Sequence, residues 1–190
     1  DGGDRMRYLG HRVDDIGAFW ANVNRGKRSL VLDLRQAEAL QVFHELIART
    51  DVFIQNFRPG VVDRLGIDES SLRSVRPDLI YVSVSGFGET GPYIDQKSYD
   101  YVIQALSGMA SLQRDSSGEP ALIRNVVIDK VTALTAVQSV LAAVVARLRG
   151  QGGQHIRISM IDVALAFFWP DGMMQHTLLD TERVTPGPHM

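Results

Sequence analysis

The amino-acid sequence predicts an α/β fold, a Rossmann-like parallel sheet with flanking helices. Short β-rich runs recur at 29–34, 51–55 and 79–85. Longer segments of helical periodicity lie between and after them. The first run, SLVLDL, is nearly continuous in apolar residues, as a strand buried on both faces is. Strands that alternate with helices imply right-handed βαβ crossovers and therefore a parallel sheet.

Taken in order, residues 1–26 carry glycines and scattered charges with little periodicity, and read as an entry from an element that precedes Asp1. Ser29–Leu34 is the first expected strand. A helix over Gln36–Arg49 follows, with Leu40, Phe43, Leu46 and Ile47 on one face. Asp51–Gln55 is the second strand, stopped by the turn-forming NFRPG of Asn56–Gly60. Short helices are expected after Gly60 and after Asp68, with Asp68 as an N-cap. Leu79–Ser85 is the third strand, and Gly86–Pro92 is its loop. Two longer helices, Ser98–Leu112 and Asp129–Arg149, dominate the second half. In the latter, Val137, Val140, Leu141, Val144, Val145 and Leu148 form a wide apolar stripe, and Gly150 ends the helix. Gln154–Ser159 alternates like a strand, and Asp162 is placed to cap a last helix through Trp169. Residues 171–190 read as a loop-like tail, with Pro186 and Pro188 breaking any pattern.

Composition narrows the function. The chain has 190 residues, no cysteine and a formal net charge of −2. Near-neutral charge argues against nucleic acid as the main partner. Without cysteine there are no disulfides and no thiolate metal sites. A run of about 18 apolar residues is lacking, so no membrane span is expected, and the polar start DGGDRMRYLG has no signal-peptide stretch. The expectation is a cytoplasmic globular piece.

The histidines at 11, 44, 155, 176 and 189 show no metal-ligand spacing, so no metal is expected. GFGETG at 86–91 reads as a flexible strand-to-helix turn. Basic residues stand at Arg25, Lys27, Arg28, Arg35, Arg58, Arg64 and Lys97. Converging on one cleft, they would suit a ligand with several phosphates, because guanidinium groups bind phosphate in a bidentate way. Asp129 and Asp162 both stand just before apolar helices. Each reads as an N-cap, and a carboxylate there is also held ionised, as a nucleophile must be. The residues alone leave the two aspartates tied.

Four stretches resemble the family III CoA-transferases (CaiB/BaiF type) in order and spacing: NRGKRSLVLDLR (24–35), DVFIQNFRPGVVDRLG (51–66), YVSVSGFGETGPYIDQKSYDYVIQALSGM (81–109) and GQGGQHIRISMIDVAL (150–165). NFRPG followed by SGFGETGPY and YDYVIQALSG is the specific part. The resemblance implies that residues 1–170 are the central or N-terminal part of a longer chain's large domain, with the true N-terminus and the C-terminal part lying beyond it. It also implies two subunits threaded through each other like linked rings.

For the site, the resemblance implies Asp129 as the nucleophile, leaving Asp162 its capping role. It implies CoA contacts at Leu34, Arg35, Asn56, Phe57, Arg64 and Lys97, with Tyr99 and Asp100 as active-site neighbours. The reaction would move CoA between an acyl-CoA and a carboxylic acid through an aspartyl-acyl anhydride, with no cofactor beyond CoA as substrate. A racemase branch of the same superfamily is the rival within enzymes. Its catalytic histidine aligns with Tyr99, and a phenol, with an ordinary pKa of about 10, is a poor substitute for an imidazole of about 6.5. A CoA-binding piece without activity of its own is the rival from another class.

Overall fold

A computed structural model describes residues 3–180, 182, 183, 185 and 187. Pro186 and Pro188 of the expected tail, and His189, lie outside the described residues. The chain divides into two units, Asp1–Asp33 and Leu34–Met190.

The first unit is small. A 3₁₀ turn, Arg5–Tyr8, is capped by Asp4, whose carboxylate accepts from the Met6 amide at 2.9 Å. Strand β1 (Arg12–Val13) pairs antiparallel with β2 (Ile16–Gly17), and α1 (Ala18–Val23) follows. The Arg7 guanidinium lies over the Trp20 ring, 4.0 Å from its centre. Residues 29–33 form no strand, and Val31 is 90 % exposed. The expected strand Ser29–Leu34 is therefore corrected: its composition favours a buried strand, but a strand also needs a ladder partner, and among the described residues this segment pairs with none.

The second unit holds the sheet. Its elements are α2 (Ala37–Ile47), β3 (Val52–Gln55), α3 (Val61–Leu65), α4 (Glu69–Val75), β4 (Ile80–Ser85), α5 (Asp100–Leu106), α6 (Met109–Leu112), α7 (Val127–Leu148), β5 (His155–Ser159) and α8 (Met160–Gly172), closed by a 3₁₀ turn at Met174–His176. Strands β3, β4 and β5 lie in that order and are all parallel, with Gln55 beside Ser83 and Ser83 beside Arg157. The α/β expectation holds.

Alternation along β4 splits the core. Tyr81 points into a cluster with Ile47, Ile67, Leu72 and Leu79, against which Leu40, Phe43 and Phe53 pack. Ile80 and Val82 point the other way, to Ala136, Ala143 and Ile158. Covering both faces is what allows β4 to read as continuous apolar sequence. A third cluster joins Ile103, Met109, Ile128, Ala164 and Phe168, with Phe87 packed on it.

Several helix expectations need correction. Leu46 is exposed, because the buried face of α2 follows 40, 43 and 47. The helix expected over Ser98–Leu112 is two helices, broken at Gly108, whose φ of 88° is open to glycine and costly for other residues. Neither Asp129 nor Asp162 is an N-cap. Val126 and Ser159 hold those positions, so each aspartate is the third residue of its helix. Asp68 does cap α4, accepting from the Ser71 amide at 3.0 Å. Burial pushes its carboxyl up, but the bonds from the Ser71 hydroxyl and backbone outweigh this and hold it below the usual range.

Helix α7 ends in a Schellman arrangement at Gly150, with Gly150 N–H donating to Arg147 O and Gln151 N–H to Ala146 O. Its apolar stripe is divided. Val140 and Val144 pack on the sheet, whereas Val137, Leu141, Val145 and Leu148 face outward. By length and composition α7 is long and apolar enough to cross a membrane, which the residue-by-residue reading did not anticipate.

Candidate active site

The site is assembled where the loop after β4 meets the starts of α5, α7 and α8. Gly86, the first loop residue, accepts from the Ile161 amide of α8 at 3.1 Å. It also stands so close to Ser98 that a Cβ at position 86 would overlap the serine side chain. This contact pins the far end of the loop, and Tyr99 and Asp100 follow directly.

Asp100 is the first residue of α5 and only 4 % exposed. Its Oδ2 accepts the backbone N–H of Asp129 at 2.9 Å. Val126 has no side-chain oxygen with which to cap α7, so a carboxylate from α5 satisfies one of that helix's free amides. Asp129 itself is exposed. Partial burial of its carboxyl, and then the charge of Asp100, push its pKa above the ordinary carboxylate value. The sequence leads one to expect a carboxylate held ionised by the helix start; at Asp129 burial, and then the like charge of Asp100, oppose the dipole. Tyr99 is 66 % exposed at the mouth of this cluster.

The residues expected to contact CoA form a second group. A cavity of about 370 Å³ opens beyond the carboxyl ends of β3 and β4, where α/β sheets commonly bind ligands. Phe57, Arg58 and Gly60 line one wall, and Gln55, Ser83 and His155 another. Gln55 donates to Ser83 Oγ at 3.1 Å, and its carbonyl receives the Phe57 amide at 2.8 Å, which fixes the Asn56–Phe57 turn. Ser83 Oγ lies 3.0 Å from His155 Nε2. Burial, then the nearby Arg157 charge, hold His155 below its ordinary value. Arg64 follows on α3, with Nη1 3.3 Å from where a Gly60 Cβ would stand.

The other expected contacts are more scattered. Asn56, Arg35 and Lys97 are exposed, and Leu34 packs on the Tyr81 cluster, leaving its backbone for any ligand. The structure thus joins Asp100 with Asp129, and Phe57 with Arg58 and Gly60 around one cavity. Among the described residues, Asp100 and Asp129 make no hydrogen bond or ion pair with Phe57, Arg58 or Gly60. Nor does any set of three His, Cys, Asp or Glu stand close enough to hold a metal ion.

The sequence profile of CoA-transferase family III matches residues 1–189. The chain belongs to this family. It is 39 % identical over 149 residues to a succinate–glutarate CoA-transferase of Agrobacterium fabrum, an alignment covering 78 % of the chain and 37 % of the relative. An acetyl-CoA:oxalate CoA-transferase of Acetobacter aceti is 38 % identical over 178 residues, covering 93 % and 44 %. Among solved structures, a CaiB/BaiF family protein from Brucella suis superposes with a TM-score of 0.86 at 33 % identity, covering 98 % of this chain and 50 % of that one. The chain spans half or less of the length of these family III proteins.

Two features of this family III chain were missed in the sequence. Gln104 is fully buried and bonded to Asp100, one helical turn away. The i, i+4 spacing of an acid and an amide was the signal, since such pairs meet on a helix. The Gln55–Ser83–His155 contacts were less visible: strand register sets Gln55 beside Ser83, but His155 stands opposite Tyr81 and reaches Ser83 only diagonally across the ladder.

Proposed function

We propose that this chain carries the nucleophile and part of the acyl-CoA site of a CoA-transferase that moves CoA between carboxylic acids. Family membership and the names of the relatives support the activity. The observation that carries the mechanism is the hydrogen bond from the Asp129 amide to a buried Asp100, which presents an exposed carboxylate at the start of α7.

A carboxylate oxygen of Asp129 attacks the thioester carbonyl of an acyl-CoA. The C–S bond breaks, CoA leaves as thiolate, and an aspartyl-acyl anhydride forms. An acceptor carboxylate exchanges with the first acid on Asp129. The CoA thiolate then attacks the acceptor's carbonyl, giving the new thioester and regenerating the Asp129 carboxylate. Atoms and charge balance without an oxidant or a metal. Because a carboxylate is a modest nucleophile, the rate rests on proximity and exclusion of water. A raised pKa fits this role, since a more basic carboxylate attacks more readily once ionised.

CoA would lie along the cavity wall of Phe57, Arg58 and Gly60, with Arg64, Arg35 and Lys97 facing its phosphates and the backbone of Leu34 and Asn56 receiving the nucleotide. Tyr99, at the position of the racemase branch's histidine, favours transfer over proton exchange. A homodimer in the cytoplasm, its subunits interlocked, completes the reading. The test is trapping: with acetyl-CoA or succinyl-CoA present, hydroxylamine should modify the full-length polypeptide at Asp129, located by mass spectrometry. A modification at another carboxylate, or none, would refute it.

A further inference from the structure

We propose that Gln104 positions Asp129, acting through the Asp100 carboxylate; this deepens the reading of Asp129 as the nucleophile and rests on it. Gln104 is 0 % exposed and lies one turn after Asp100 on α5. Its carbonyl accepts the Ile123 amide at 2.9 Å. Its NH₂ group donates to Asp100 Oδ1 at 2.5 Å and stands 3.4 Å and 3.3 Å from the carbonyls of Ile123 and Asn125. Every polar group of the side chain has a partner, so neither rotation nor a flip is open to it.

The partners explain the role. Ile123 and Asn125 belong to the segment that leads into α7, and Asp100 receives the amide of Asp129. One buried amide therefore holds both the chain entering the helix and the carboxylate that caps it. Asp100, only 4 % exposed, takes this donor as one of its partners, as a buried polar group requires. Asp100 is the charged neighbour that acts on Asp129. Lys130, beside Asp129 on α7, turns instead toward the Asn125 side chain at 3.5 Å.

The experiment uses the full-length polypeptide, succinyl-CoA with oxalate or glutarate as acceptor, and the pH dependence of kcat/KM. In Gln104→Met the acid limb should move to lower pH, because an Asp100 carboxylate displaced from Asp129 no longer opposes its ionisation. The maximal kcat should fall about tenfold to a hundredfold, the scale of a small misplacement of a reacting group. Asp100→Asn should move the limb the same way, and the double variant should move it no further. A merely structural role for Gln104 would lower activity at every pH and leave the limb in place, and that result overturns the proposal. If Gln104→Met does not fold, Gln104→Asn, which keeps the amide but shortens its reach to Asp100, decides by the same criterion. Should hydroxylamine fail to label Asp129 in the unaltered enzyme, the nucleophile reading and this inference fall together; a labelled Asp129 with an unmoved limb removes the inference alone.

Discussion

Asp129 and Asp162 are equivalent by local structure, each the third residue of an apolar helix, and differ in what surrounds them. Only Asp129 has its amide held by a second carboxylate. Asp129→Asn should abolish transfer while leaving CoA affinity within about twofold, because an amide keeps the shape but is no nucleophile. Asp162→Asn should retain transfer. Assays with succinyl-CoA and binding of CoA by calorimetry check both, and an active Asp129→Asn enzyme would overturn the assignment. The raised pKa of Asp129 sets two further signs. Activity should fall on the acid side above the ordinary carboxylate value of about 3.9, since attack needs the ion. Stability runs oppositely. A group that is easier to protonate when folded contributes below its unfolded pKa, and that contribution is lost as pH rises through the folded value. Solvent exposure keeps this contribution small. Which aspartate reacts was legible only through resemblance, whereas the Asp100 contact joins residues 29 positions apart in the chain.

At the scale of elements, most of the sheet and its helices could be read from periodicity, because β4 buries its apolar run and α2 packs Leu40, Phe43 and Ile47 inward. The failures have a common cause. Residues 29–33 and the stretch around Gly108 have the right composition, but a strand depends on a partner and a helix on each φ, and neither is local information. The loop after β4 shows how a single backbone contact transmits to the site. A Cβ at Gly86 would overlap Ser98, the residue before Tyr99 and Asp100. Gly86→Ala should therefore cost about 1–3 kcal/mol in urea unfolding, as overpacking does. It should also reduce hydroxylamine labelling of Asp129 by displacing the start of α5. Adding Ser98→Gly opens the space and should restore most of both. Loss that persists in the double variant would show that the loop acts by another route.

For the whole molecule, the unanswered surface is the outer face of α7. Leu134, Leu141 and Leu148 are 64 %, 60 % and 80 % exposed, in a row at seven-residue spacing along one side of the helix. Phe167 of α8 is also exposed, and with Leu134 it lines a groove of about 620 Å³ between the two helices. Covering apolar side chains so placed is worth roughly 1.5–3 kcal/mol per large side chain. A second copy of the chain is the occupant under the dimer proposed above. The polypeptide should therefore sediment as a dimer or larger species at micromolar concentration. Leu134→Lys with Leu141→Lys should shift it toward monomer, since the α7 residues that build the core, Ala136, Val140, Ala143 and Val144, are untouched. Analytical ultracentrifugation checks the mass, and circular dichroism checks that helix content is kept. A monodisperse, cooperatively melting monomer before any substitution would show that α7 tolerates its exposure, and would leave the interlocked dimer without support from this surface.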